Sequence, residues 1–206
     1  MKIIKNIFYL SIGTGLSSSM TLYIYIYYKS KQDARKKLNI IFDLDETIIY
    51  TDKIINYNNM NKKNILLPEP LEIIGERKIW IRPYVYSIIP ILSKFNNLFL
   101  FTKATEPYTN DILKKTNLNQ YFIDKKYRED CKGTCKNFLK FNLSNMNVKN
   151  TLLVDDKFSN KCEGQNFYHI QKFNYYQHND ISMIKLFLHI LLLNIKKDLS
   201  YPNKNY

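Results

Sequence analysis

The stretch that decides the fold runs Leu38-Asn39-Ile40-Ile41-Phe42-Asp43-Leu44-Asp45-Glu46-Thr47. Its first five residues form a short, mostly apolar run of the kind that buries both faces inside a parallel sheet, and it ends abruptly in acids. Two runs of the same kind follow, Leu98-Phe99-Leu100-Phe101 before Thr102 and Thr151-Leu152-Leu153-Val154 before Asp155-Asp156. Apolar spacing predicts helices over Pro83 to Asn96, kinked at Pro90, and over Glu106 to Thr116, with Pro107 in the first turn. A last helix is expected over Asp180 to Lys197, capped by Asp180. Strand-like stretches at Ile65 to Leu67 and Lys78 to Ile81, with a turn at Gly75, predict a small β insertion after a polar loop at Tyr57 to Lys63. Strands alternating with helices specify an α/β chain with a doubly wound parallel sheet, whose ligands sit at the carboxyl ends of the strands.

Those ends carry Asp43 and Asp45, then Thr102, then Asp155 and Asp156. Carboxylates two apart directly after a strand suit phosphoryl chemistry. The first is placed to attack phosphorus and form an aspartyl-phosphate, and the second to protonate the leaving oxygen and then activate water. Two carboxylates facing a dianionic phosphate need a divalent cation, and an all-oxygen donor set that includes Asp155 and Asp156 suits Mg²⁺. A hydroxyl, Thr102, and an ammonium would hold the phosphoryl oxygens and stabilise the charge that develops on them.

At 206 residues the chain accommodates one domain with an appendage, and 45% hydrophobic residues supply a core. Thirty-one Lys and Arg against 18 Asp and Glu give a net charge of +13, which attracts polyanions. The lysines come with many Asn, Ile and Tyr, a bias that AT-rich coding produces by itself. No nucleic-acid-binding motif accompanies the charge, so nucleic acid is not an expected partner. Cys131, Cys135 and Cys162 are too few for a disulfide framework and lack the spacing of a zinc site. They read as free thiols in a reducing compartment.

Asn6 to Tyr28 is a run of 23 residues without a charge. As a helix it would be about 34 Å long, enough to cross a ~30 Å hydrocarbon layer. Lys2 and Lys5 precede it; Lys29, Lys31, Arg35, Lys36 and Lys37 follow, and Tyr23, Tyr25, Tyr27 and Tyr28 suit an interfacial belt. The reading is an uncleaved single-pass anchor with the downstream domain facing cytosol or nucleoplasm. Ser11, Gly15 and Ser19 recur every four residues, a small-residue face on which two such helices could self-associate.

The acidic motif also resembles a known signature. D-x-D-x-T after a strand is that of the haloacid-dehalogenase superfamily. The longer string is similar to its C-terminal-domain phosphatases of the FCP/SCP type, over about Asn39 to Leu193. Ile81-Arg82-Pro83, Phe101-Thr102-Lys103-Ala104 with Tyr108, Tyr127-Arg128-Glu129-Asp130-Cys131 and Val154-Asp155-Asp156 match further family elements in order. The resemblance implies Asp43 as nucleophile and Asp45 as acid/base, the latter also reaching the metal through its main-chain carbonyl. It further implies Asp156 as direct metal ligand, supported by Asp155, and Mg²⁺ as cofactor. Thr102 and Lys140 would bind phosphate, Lys140 being chosen by its spacing from Cys131, with Lys136 as the alternative. Lys103-Ala104 and Lys157-Phe158 depart from the family's alanine-serine and serine-proline, which bears on substrate choice.

The expected organisation is an anchor at 1–29, a basic linker at 30–37, the phosphatase-like domain at 38–197 and a polar tail at 198–206. The expected function is a membrane-anchored, Mg²⁺-dependent protein serine/threonine phosphatase whose partners are phosphorylated protein and membrane. The alternative is a non-catalytic, membrane-tethered binding module resembling the mitochondrial inner-membrane translocase receptor.

Overall fold

The three apolar runs become adjacent strands at the centre of one sheet. In the computed structural model, residues 37–53, 72–74, 77–131, 133, 135–142, 146–177 and 179–199 are described. The elements in chain order are Asn39–Phe42 (β1), Ile49–Lys53 (β2), Glu72–Ile74 (β3), Arg77–Ile81 (β4), Val85–Phe95 (α1), Asn97–Phe101 (β5), Glu106–Lys115 (α2), Asp124–Lys126 (β6), Thr151–Asp155 (β7), Asn166–His169 (β8) and Ser182–Leu199 (α3). The main sheet is parallel throughout, in the order β6-β5-β1-β7-β8. Register sets Phe42 beside Leu100 and Val154, so the residues just past all three strands emerge side by side.

Alternation along each strand divides the core. Ile40, Phe42, Leu98, Leu100, Leu152 and Val154 point to a face covered by Ile88, Ile89 and Leu92 of α1, Ile112 and Leu113 of α2, and Met183, Leu186 and Ile190 of α3. Ile41, Phe99, Phe101 and Leu153 point to the other, where Phe138, Phe141 and Met146 of the β6–β7 crossover cover them. Helix α1 continues through Pro90, and α3 begins where Asp180 Oδ1 accepts the Ser182 amide at 2.7 Å. Two edge strands were not expected: β6 is Asp-Lys-Lys and β8 is Asn-Phe-Tyr-His, both short and neither a continuous apolar run. The small insertion is a three-stranded antiparallel sheet in the order β2-β4-β3, with β2 directly after the acidic turn. The expected loop at Tyr57 to Lys63, strand at Ile65 to Leu67, turn at Gly75 and anchor at 6–28 lie outside the described residues. Among the described residues no helix is long and apolar enough to cross a membrane.

The cysteine expectation is corrected. Cys135 and Cys162 form a disulfide, with Cα atoms 5.1 Å apart, and Cys131 alone is a free thiol. Sequence separation hid the pair, because the crossover and β7 must fold before residues 135 and 162 meet.

Arg82 holds the second layer to the first. Its side chain is 1% exposed and its Nε lies 2.9 Å from Asp180 Oδ2. Its two other nitrogens donate to the carbonyls of Thr47, at 2.7 Å, and of Gln171. One guanidinium therefore ties the acidic turn, the segment after β8 and the start of α3. Burial lowers the Arg82 pKa to about 10, against the pull of Asp180, which leaves it charged at neutral pH. Truncation strands a buried carboxylate and two carbonyls, a loss of about 3–5 kcal/mol. Arg82→Met is therefore expected to lower the unfolding free energy by that amount, read as a fall in the urea midpoint at unchanged m-value. A shift within the noise for Arg82→Met would show that the staple carries no stability.

Candidate active site

The acidic turn is built by the end of β1. The Asp43 amide donates to the Val154 carbonyl at 3.0 Å, which continues the β1–β7 pairing and sets Asp43 beside Asp155. Leu44 is buried, so Asp45 returns to the side from which Asp43 emerges. Glu46 then takes a left-handed backbone, φ 64°, and the amides of Thr47 and Ile48 reach back to the Leu44 carbonyl. A non-glycine residue there costs about 1–2 kcal/mol. Glu46 offsets that cost by pairing with Lys172 at 2.8 Å and Lys157 at 3.2 Å.

Asp43, Asp155 and Asp156 bring carboxylate oxygens within 4.8 Å of one another, all three buried. Lys136 Nζ lies 2.6 Å from Asp43 Oδ1 and 2.6 Å from Asp155 Oδ2, with only 1% of the side chain exposed. Asp155 is otherwise saturated: Asn160 Nδ2 donates to both its oxygens, at 2.9 and 3.0 Å, and the Lys157 amide to Oδ1 at 2.8 Å. Asp156 differs, for its Oδ1 is buried with no hydrogen-bond partner. Three carboxylates against one ammonium leave two negative charges in a dry site. An orphaned carboxylate oxygen, an all-oxygen donor set and a surplus of two charges fit a hard divalent cation such as Mg²⁺.

Burial raises the Asp43 pKa; Asp155 and Asp45 push the same way and Lys136 opposes them. Asp156 is also raised, by burial first and by Asp155 second. For Lys136 burial works against the charge, yet the two carboxylates prevail and its pKa is raised.

Asp45 stands apart from the cluster. The Tyr108 hydroxyl donates to its Oδ1 at 2.9 Å and lies 3.1 Å from Thr51 Oγ1, so α2 and β2 together orient this carboxyl. Burial raises the Asp45 pKa and the tyrosine hydrogen bond opposes the rise. Thr102, 1% exposed, accepts the Ala104 amide on Oγ1 at 3.1 Å. Asp43, Asp45, Thr102, Tyr108, Lys136 and Asn160 line an open cavity of about 450 Å³. The exposed cations Arg77, Lys103, Arg128 and Lys157 line it too.

The structure thus gathers Asp43, Asp45, Thr102, Asp155 and Asp156, but not Lys140. Lys140 sits in the 3-10 turn Phe138–Phe141, whose two phenylalanines fill the second core, and it is half-buried away from the cavity lining. The ammonium among the carboxylates belongs to Lys136, held by its own amide bond to the Asn160 carbonyl at 2.8 Å and by the neighbouring disulfide. Counting from Cys131 assumed a loop of fixed length; only the cross-link tells where this loop lies. Asn160 and the Tyr108–Asp45 bond were also missed. The signals available were an asparagine five residues past Asp155, and a tyrosine in the first turn of the helix after Thr102.

Residues 38–200 match the family described as NLI interacting factor-like phosphatase. Nuclear envelope morphology protein 1 of Saccharomyces cerevisiae is 25% identical over 108 residues, which cover 50% of this chain and 24% of the yeast protein. The fold is similar to that of Fcp1, described as an essential RNA polymerase II CTD phosphatase, with a TM-score of 0.54 at 17% identity over 84% of this chain and 54% of that one. A fission yeast Fcp1 variant bound to beryllium fluoride gives 0.52 at 16% identity, over 84% and 56% of the two chains. The chain therefore spans about a quarter of the yeast relative and about half of each solved neighbour.

The charge surplus has a measurable consequence without any substrate. Mg²⁺ at about tenfold over its dissociation constant is expected to stabilise the protein by about 1.4 kcal/mol, a rise of roughly 3–6 °C in melting temperature. Asp156→Asn should remove the rise, while Asp45→Asn, whose main-chain carbonyl is intact, should keep most of it. Equal shifts in both variants would place the ion elsewhere.

Proposed function

Because the chain belongs to the NLI interacting factor-like phosphatase family, we propose that it hydrolyses phosphoserine and phosphothreonine monoesters on proteins through an aspartyl-phosphate on Asp43. The observation that carries this reading is Asp43 itself: a buried carboxylate at the cavity floor, 2.6 Å from a buried ammonium that can pass to an arriving phosphoryl oxygen. Asp43 attacks phosphorus in line, while Asp45, oriented by Tyr108, gives its proton to the leaving seryl or threonyl oxygen. Asp45 then takes a proton from water, which attacks the aspartyl-phosphate and restores Asp43. Lys136 and the Thr102 hydroxyl hold phosphoryl oxygens through both steps, Lys136 filling the role that spacing alone assigned to Lys140. Asp43, Asp156 and the Asp45 main-chain carbonyl would hold Mg²⁺, which supplies charge neutralisation to the incoming phosphate. Asp155 serves mainly to hold Lys136.

The four exposed cations lining the cavity favour phosphoryl groups set among other anions, as on acidic or multiply phosphorylated protein. Membrane attachment through residues 6–28 completes the reading, supported by the name of the yeast relative, a nuclear envelope morphology protein. The domain would then face cytosol or nucleoplasm.

The test is hydrolysis of para-nitrophenyl phosphate by the full chain in detergent. Turnover should require Mg²⁺ and fall by three or more orders of magnitude in Asp43→Asn. Lys136→Met should lose about 10²–10³-fold in kcat/KM, whereas Lys140→Met stays within about threefold of the parent. A reversed order for the two lysines would return the phosphate site to Lys140. No turnover from folded, Mg²⁺-loaded protein would leave the tethered binding module as the better account.

A further inference from the structure

The cross-link lies one residue from the ammonium on which the site turns. Lys136 follows Cys135 directly, and Cys162 belongs to the loop after β7 that also carries Asn160. The same two segments are joined by two hydrogen bonds, and a third braces the loop after β7 internally. The Lys136 amide donates to the Asn160 carbonyl at 2.8 Å. Gln165 Nε2 donates to the Lys136 carbonyl at 3.0 Å, and Gln165 Oε1 accepts the Cys162 amide at 2.9 Å. Asn160 in turn donates to Asp155, the partner of Lys136 Nζ. The disulfide therefore closes a ring of contacts around the backbone of Lys136, and it is the one covalent member of that ring.

We propose that the Cys135–Cys162 disulfide is the positioning element for Lys136, and that thiol–disulfide exchange with a dithiol sets the phosphate affinity of the site. This rests on the reading of Lys136 as a phosphate-binding group. A buried ammonium needs anionic partners at hydrogen-bond distance, and a misplacement of about 1 Å in a group that positions substrate costs up to about a hundredfold. Opening the disulfide leaves hydrogen bonds between two irregular segments, and the Lys136 backbone gains freedom that must be lost again when phosphate binds.

Both cysteines are half-buried rather than enclosed in the core, and the proposal requires that a small dithiol reach their sulfurs. A thiolate of the dithiol attacks one cysteine sulfur, breaks the S–S bond and expels the other cysteine as thiolate, which takes up a proton. The second thiol of the reagent then displaces the first cysteine. Two electrons pass to the protein, giving two cysteine thiols and one oxidised dithiol. A cytosol-facing domain meets such reductants continually, and disulfides that form there are commonly of the exchangeable, sensing kind.

The experiment compares the full chain in its one-thiol form with the same protein after dithiothreitol. Thiols are counted by maleimide labelling and mass, and both samples are held below their measured melting temperatures. Hydrolysis of para-nitrophenyl phosphate gives kcat and KM, and calorimetric titration with inorganic phosphate gives affinity without turnover. Reduction is expected to raise KM and weaken phosphate binding about tenfold each, with kcat changed less, and reoxidation should restore both. Cys135→Ser with Cys162→Ser should reproduce the reduced state and ignore dithiothreitol. Cys131→Ser should respond as the parent does. Equal KM and phosphate affinity in the one-thiol and three-thiol forms would overturn the proposal, as would three labelled thiols before any reductant. Redox-dependent phosphate binding without turnover would uphold the clamp and sink the phosphatase reading. Turnover without redox dependence would do the opposite, and no phosphate binding in either state would sink both.

Discussion

Three carboxylates and one ammonium packed out of water set the terms for the rest of the molecule. Asp43, Asp155 and Asp156 repel one another, and each loses solvation by lying buried at the carboxyl ends of the central strands. The sheet imposes this, because register between β1 and β7 delivers the residues after Phe42 and Val154 side by side. Lys136 relieves part of the repulsion, and Asn160 and the Lys157 amide satisfy Asp155 so that it can hold the ammonium. A cluster satisfied in this way is stable only if the loops that carry its members are themselves fixed. The disulfide and Gln165 meet that need for Lys136, and the ion pairs of Glu46 meet it for the acidic turn.

Two buried cations divide the work. Arg82 spends its donors on one carboxylate and two backbone carbonyls, partners that no ligand replaces. Its planar fork suits three fixed acceptors from three segments. Lys136 instead faces two carboxylates at the floor of an open cavity, and a point charge on a flexible stem can exchange one oxygen for another. The two cations thus serve different ends: losing the first unties three segments of the fold, and losing the second leaves Asp43 and Asp155 without their shared ammonium.

What could be read in the sequence follows from where each residue lies in this scheme. Strands β1, β5 and β7 are buried on both faces, so they appear as unbroken apolar runs, and the residues one or two positions beyond them identify themselves. Asp43, Asp45, Thr102, Asp155 and Asp156 were legible for that reason. Strands β6 and β8 lie at the edges, with Asp124, Lys125, Lys126 and Asn166 among their few residues, and edge pairing by backbone leaves no periodic trace. Lys136 stood in the sequence only as the alternative to Lys140, because nothing local marks it. Its neighbours within the 3-10 turn are placed by Phe138 and Phe141 entering the core, and its own position by a cross-link spanning 27 residues of sequence. Tyr108 was matched by type, but its bond to Asp45 depends on β2 and α2 meeting above the sheet.

The same scheme explains why a cation-rich cavity and an acid-rich floor belong together. A phosphate dianion approaching Asp43 unaided meets two uncompensated negative charges beneath it. Arg77, Lys103, Arg128 and Lys157 set positive charge along the way in, Lys157 sharing its charge with Glu46, and Lys136 lies among the lining residues beside Asp43. On the proposed reading, Asp156 would help hold a divalent ion whose charge would offset the remaining surplus. Lys103 and Lys157 line the cavity, and each adds charge at the wall rather than at the floor. On the proposed reading, selectivity for the surroundings of the phosphoryl group would reside in the wall and reactivity toward the group itself in the floor.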